Sequence, residues 1–241
     1  MSGGLSTRAV DARELMDDPQ ADDAMLARTY RRFGAVNAVV SRPGLLYRRD
    51  IRPRAAEARR LRILDVGAGG GDLCRFLARR LRRDGLTAHI TALDADERAI
   101  RWASAHDDGS GVHYRCALTG DLVAEGDTFD VVVSNHVLHH LGGAELASVL
   151  AETELLVRSG GLGSHHDIAR SRSAYALFAT GTWPLSRNLL AGSFIREDGL
   201  LSIRRSYTAR ELTAVAPPGW EVRRHLPARL ELRWEGADAR P

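Results

Sequence analysis

The chain has 241 residues, 44% of them hydrophobic, which suits one α/β domain with a full core and excludes a disordered chain. The formal net charge is +3 and all 34 basic residues are arginine, but the clusters at 59–62 and 79–83 lack interleaved aromatics, so no nucleic-acid groove is expected. No apolar run reaches the roughly 20 residues that cross a bilayer, residues 1–20 hold no apolar signal core, and Cys74 and Cys116 read as buried thiols, so a cytoplasmic protein without disulfides is expected.

Residues 1–21 read as loose and acidic. Apolar positions Met25, Leu26, Tyr30, Phe33, Val36 and Val40 then recur at helical spacing, and Arg42-Pro43-Gly44 ends that helix. A short second helix at 45–50 stops before Arg52-Pro53. The N-terminal helical part can pack on the core, or cover a ligand cleft with Tyr30, Phe33 or Tyr47 lining it. Residues 1–60 thus form a helical extension, and 61–241 the main domain.

Strands and helices alternate from there. Strands are predicted at 62–66, 88–93, 112–116 and 129–134, and helices at 72–83, 96–105 and 143–157. Ser159-Gly160-Gly161 stops the last of these. A fifth strand at 162–166 is expected on topology, although Gly163, Ser164, His165 and His166 replace the usual β-branched run. Residues 171–205 form an aromatic-rich helical insertion. T-A-R-E at 208–211 is a capping box that opens a helix to about Val215. Segments 220–225 and 229–234 read as a closing hairpin.

Chemistry concentrates at L-R-I-L-D-V-G-A-G-G-G-D, residues 61–72. Strand, glycine turn and helix form the entry unit of a nucleotide-binding sheet. A dinucleotide fingerprint needs G-x-G-x-x-G, but counting from Gly67 puts Asp72 at the third glycine. That argues against a nicotinamide dehydrogenase. Asp65 would repel a pyrophosphate and suits a ligand with an ammonium and a sulfonium. Asp94, at the end of the second strand, can accept both ribose hydroxyls.

D-V-G-A-G-G-G, A-L-D-A-D and F-D-V-V-V-S-N-H-V-L-H-H-L, in this order at three strand ends, resemble the motifs of class I S-adenosylmethionine (SAM)-dependent methyltransferases. The resemblance implies a Rossmann-like seven-stranded sheet of order 3-2-1-4-5-7-6, its last strand antiparallel, with helices on both faces. It implies that Asp65, Gly67, Ala68, Gly69 and Gly71 hold the methionine part of SAM, that Asp94 binds the ribose, and that Ala95, Ala117 and Leu118 pack the adenine. Asn135 and His136 would face the sulfonium, and S-adenosylhomocysteine would be the product. L-M-D-D-P, Y-R-R-F-x-x-V-N and H-D-I-A-R-S look like small bacterial methyltransferases associated with type III polyketide synthases, neighbours of the quinone-biosynthesis methyltransferases.

A phenolic acceptor benefits from a base near neutral pH. The candidates, in order, are His140, His139, His136 and His166, all expected at the carboxyl edge of the sheet. Asp167 can orient a histidine or accept a backbone N–H. No metal is expected, because adjacent histidines such as His139 and His140 should diverge. Tyr175, Phe178, Trp183 and Phe194 in the insertion either line an acceptor pocket or pack as core. The reading is methyl transfer to a small aromatic, phenolic or polyketide-type acceptor at oxygen, by a monomer or homodimer. A quinone-like C-methyltransferase is the alternative, followed by an RNA methyltransferase or a nicotinamide-dependent dehydrogenase.

Overall fold

The computed structural model describes residues 4–236. Helices α1 (Asp23–Val40), α2 (Pro43–Leu46) and α3 (Arg52–Glu57) precede the sheet. Strands β1 (Leu61–Val66), β2 (Ala88–Asp94), β3 (His113–Cys116), β4 (Phe129–Asn135) and β5 (Val157–Ile168) alternate with α4 (Asp72–Arg83), α5 (Glu97–Ala105), α6 (Thr119–Ala124) and α7 (Gly143–Leu156). Then come α8 (Arg172–Thr182), α9 (Ile195–Arg205) and α10 (Ala209–Val215), and finally β6 (Glu221–His225) and β7 (Arg229–Glu235). No helix among the described residues is long and apolar enough to cross a membrane.

The seven strands form one sheet in the order β3-β2-β1-β4-β5-β7-β6. β1 pairs in parallel with β2 and β4, and β7 runs antiparallel to both β5 and β6. The expected topology is therefore present. Alternation along β1 explains its two faces. Leu61 and Ile63 pack with Leu73, Leu77 and Leu81 of α4, and Leu64 and Val66 pack with Leu122, Phe129 and Leu156 on the other side. Asp65 shares a face with Ile63, so the carboxylate ends up beneath α4.

Several expectations need correction. Pro53 does not end a helix at residue 50; Tyr47–Ile51 is a π-helical turn that runs straight into α3, where proline sits in the first turn and needs no N–H partner. The helix α6 was not anticipated, being only six residues long. Ser159-Gly160-Gly161 does not cap α7; it lies within β5, where the pairing register with β4 shifts. Cys116 is exposed rather than buried, because β3 is an edge strand, and only Cys74 is a buried thiol. The N-terminal segment is not loose. Leu15–Asp17 forms a 3-10 turn, and Glu14 is 4% exposed.

The π turn is tied to the last strand by buried ion pairs. Asp50 and Glu231 are almost wholly buried. Arg233 Nη1 donates to Asp50 Oδ1 at 2.9 Å, Arg49 donates to Glu231, and Ser164 Oγ donates to Glu231 Oε1 at 3.0 Å. Removing one partner of such a network strands buried charge. Glu231→Ala is expected to lower stability by about 3–5 kcal/mol in urea unfolding, and a loss under about 1 kcal/mol would contradict that role.

Candidate active site

A cavity of about 530 Å³ opens at the carboxyl ends of β1, β2 and β4. The glycine loop forms its floor. Gly67, Gly69 and Gly71 have φ of +67°, +51° and +72°, a region that residues with a Cβ resist. A Cβ on Gly67 would lie 2.4 Å from Val137 Cγ2, so the bare backbone lets the loop after β4 close down on the floor.

Asp65 is 2% exposed and accepts a weak hydrogen bond from Cys74 Sγ at 3.3 Å. Burial, with the charges of Asp72 and Asp94 nearby, pushes its pKa up to about 8. Asp94 Oδ2 accepts from the Gly69 N–H at 2.7 Å, and its Oδ1 from the Asp96 N–H at 2.9 Å. The carboxylate is thereby fixed with lone pairs to spare.

The loop after β4 carries the second cluster. His136 has φ +62°, a left-handed conformation that non-glycine residues adopt at a cost of about 1 kcal/mol. Its backbone N–H donates to His166 O at 2.9 Å, and its Nε2 shares a hydrogen bond with Ser41 Oγ at 2.8 Å. This kink leads into the 3-10 turn Leu138–His140. Asp167 performs both of its expected tasks, accepting from the His139 backbone N–H at 2.7 Å and from His139 Nδ1 at 2.9 Å. His139 Nε2 lies 3.2 Å from Glu14 Oε1. His140 stands beside it, with Nε2 at 3.8 Å from Glu14 Oε2 and Nδ1 at 3.4 Å from Asp17 Oδ2.

These carboxylates set the charge state of the cluster. Burial opposes charge on His139, but Asp167 and Glu14 outweigh it and raise its pKa to about 9. Burial would likewise raise Asp167 and Glu14, yet the His139 cation holds both below the usual carboxylate range. Sequence reasoning missed Glu14 entirely. Nothing in the local pattern A-R-E-L-M marks it, because its role depends on the N-terminal segment crossing α9, where Asp198 accepts the N–H groups of Leu15 and Met16.

The cavity brings together Asp65, Gly67, Ala68, Gly69, Asp94, Ala95, Ala117, Leu118, Asn135, His136, His139 and His140. Tyr30 and Phe33 of α1 line it too, with Phe178 and Phe194 of the insertion. A Cβ on Gly199 of α9 would lie 2.4 Å from Phe178 Cζ, so this glycine makes room for the ring. Gly71 is not a lining residue; it serves as the left-handed N-cap of α4. Tyr47, Tyr175 and Trp183 do not line the cavity either; the Tyr47 hydroxyl donates to Asp84 Oδ2 at 2.8 Å beside α4, and Trp183 points to solvent at 68% exposure.

His166 is also a correction. It lies within β5, with Nε2 bonded to Ser164 Oγ at 3.0 Å, and does not reach the cavity. Its neighbour His165 faces the other side, bonded to Ser134 Oγ at 2.8 Å and stacked on Trp220. Burial lowers their pKa values to about 3 and about 4, so both are neutral in the fold. Unfolded histidines protonate near pH 6.5, so stability contributed by these two is lost as pH falls below that value, by about 1.4 kcal/mol per unit for each. Urea midpoints at pH 7 and pH 5 should show this fall, and His165→Gln should flatten it.

Glu14, His139 and His140 offer ligand atoms within 4.8 Å of one another, so the adjacent histidines converge rather than diverge. Their rings stand 4.3 Å apart. The Arg205 guanidinium, 3.7 Å from Glu14 Oε1, already supplies positive charge there.

Comparison with known proteins bears on this arrangement. The pattern of a family described as a methyltransferase domain matches residues 63–161. A protein of Methylobacterium sp. (strain 4-46) named ubiquinone biosynthesis O-methyltransferase is 33% identical over 181 residues, covering 72% of this chain and 70% of that protein. The chain belongs to the class I SAM-dependent methyltransferases. The methyl donor of that family is SAM. A Parvibaculum lavamentivorans protein of the same name is 36% identical over 123 residues, 50% of this chain; the match spans 46% of the relative, about half its length. Among solved structures, the plantazolicin methyltransferase BpumL in complex with S-adenosylhomocysteine has a TM-score of 0.59 at 11% identity, covering 89% of this chain and 95% of that one. Magnesium protoporphyrin IX methyltransferase from Synechocystis PCC 6803 has a TM-score of 0.52 at 15% identity, covering 92% of this methyltransferase and 88% of that chain. Both likenesses concern the fold.

Proposed function

We propose that this protein transfers a methyl group from SAM to a hydroxyl oxygen on a small aromatic ring of the quinone-precursor kind. The carrying observation is the shared cavity, in which the Asp65–Asp94 glycine loop faces the His139–His140–Glu14 cluster. The names of the relatives favour a quinone-like acceptor over the polyketide product expected first, and favour oxygen over carbon.

The residues fit the donor. The glycine loop is a cradle that a Cβ would fill, and Asp65 is a buried carboxylate whose side chain has only a thiol donor among the described residues. In this reading Asp65 would accept the methionine ammonium, Asp94 the ribose hydroxyls, and Ala95, Ala117 and Leu118 would flank the adenine, with Asn135 and His136 on the side of the sulfonium. SAM supplies an electrophilic methyl for in-line displacement. The chain contributes alignment, exclusion of water and a proton acceptor. His140 is that acceptor, because its ring reaches the cavity and is partly exposed, whereas His139 is enclosed between Asp167 and Glu14. Helix α1 is the lid, and Phe33, Phe178 and Phe194 hold the ring. No metal is required: Glu14 already has the Arg205 and His139 cations as partners.

Incubation with SAM and a catechol or hydroquinone panel, followed by mass spectrometry, tests the proposal. A product heavier by one methylene at oxygen is expected. Methylation at ring carbon, or no product from any member, would overturn it. Chelator should leave the rate unchanged.

A further inference from the structure

The cavity is acidic in a chain whose net charge is positive. Asp65, Asp72, Asp94 and Asp96 line the donor end. Glu14, Asp17 and Asp198 line the other, around His139 and His140. No arginine among the described residues lines the cavity, although arginine is abundant on the rest of the chain. Its exclusion is therefore not a matter of composition.

Each cation near the acceptor end already has carboxylate partners. His139 sits between Asp167 and Glu14 at 2.9 Å and 3.2 Å. Arg205, with a side chain 9% exposed, lies behind the wall at 3.7 Å from both Glu14 and Asp17. Asp198 accepts two backbone N–H groups and has no cation partner among the described residues. A carboxylate on an incoming ring would lose its water, meet no free guanidinium and approach fixed negative charge. A protonated amine would meet acceptors able to form charge-assisted hydrogen bonds. Rejection of this kind rests on repulsion as much as on attraction.

Resting on the methyltransferase reading of this cleft, we propose that the acceptor is a hydroxylated aromatic bearing a protonated amine or no charge, preferred in that order, and that carboxylate-bearing aromatics are rejected. The acidic wall also disfavours a free phenolate. The phenol therefore keeps its proton until the oxygen–methyl bond forms, and the proton then passes to His140 as the carbon–sulfur bond breaks.

The test uses three catechols with a para ethyl, aminoethyl or carboxymethyl group, titrated into the protein saturated with S-adenosylhomocysteine. The aminoethyl compound should bind at least as tightly as the ethyl compound, and the carboxymethyl compound about 100-fold more weakly. Carboxymethyl affinity within about threefold of ethyl, or failure of all three to bind, overturns the inference. The charge order appearing without turnover in SAM removes the proposed reaction and still supports the inference. The double variant Glu14→Gln, Asp198→Asn should raise carboxymethyl affinity relative to ethyl by about tenfold, and an unchanged ratio counts against it.

Discussion

Asp65→Asn is expected to weaken SAM binding by about 100-fold, as loss of a charge-assisted hydrogen bond to the ligand ammonium requires. The amide keeps the shape of the carboxyl and can still accept the Cys74 S–H, so the fold should survive. Calorimetric titration checks the prediction, and an affinity within about threefold of the unmodified protein would show that the ammonium binds elsewhere. A pH series adds a second signature. Burial raises the Asp65 pKa to about 8, so the ionised form that suits a cation declines as pH falls below that value. Affinity should therefore fall on the acid side, by up to about tenfold per unit. On the alkaline side the ligand's own amine loses its proton near pH 7.7–8.0, which places the maximum close to pH 8. In Asp65→Asn the acid limb should be gone.

His140→Gln is expected to lower kcat by about 10²–10³ and to leave SAM affinity unchanged, the range typical of a lost general base. Its ring is held by Asp17 and Glu14 yet still borders the cavity. His139→Gln should behave differently, because that ring holds two buried carboxylates apart; thermal stability should drop along with turnover. A kcat within about threefold of the unmodified enzyme for His140→Gln would move the proton acceptor elsewhere in the cluster. The pH–rate profile separates the cases, since only removal of the base deletes the acid limb of kcat.

The glycine-loop half of the candidate site was legible in the sequence because it is local. Strand β1, its three glycines and the first turn of α4 fall within residues 61–72, and each choice there answers to backbone geometry. The strand order was implied by the family resemblance that the motifs at successive strand ends carry. The acceptor half was legible only in part. Phe178 and Trp183 look alike in composition, yet one ring lies under Gly199 and the other faces water, a difference set by how α8 meets α9. His166 was assigned to the carboxyl edge of the sheet, but β5 runs to Ile168, and a period of two sends its ring and that of His165 to opposite faces inside the sheet. Glu14 was beyond reach, since its partner lies 125 positions further along the chain and no periodicity connects them.

The buried pairing of the π turn with β7 has a kinetic side. Arg49 and Glu231 are 182 positions apart, so the helical segment that follows α1 cannot settle until the final strand has left the ribosome. At about 5–20 residues per second, Arg49 and Asp50 wait roughly 10–40 s for their partners. During that interval the glycine loop can form with β1 and β4, while α1 has no anchored base from which to cover it. Nascent chains arrested before residue 229 should therefore expose Tyr30 and Phe33 to protease, and completed chains should protect them.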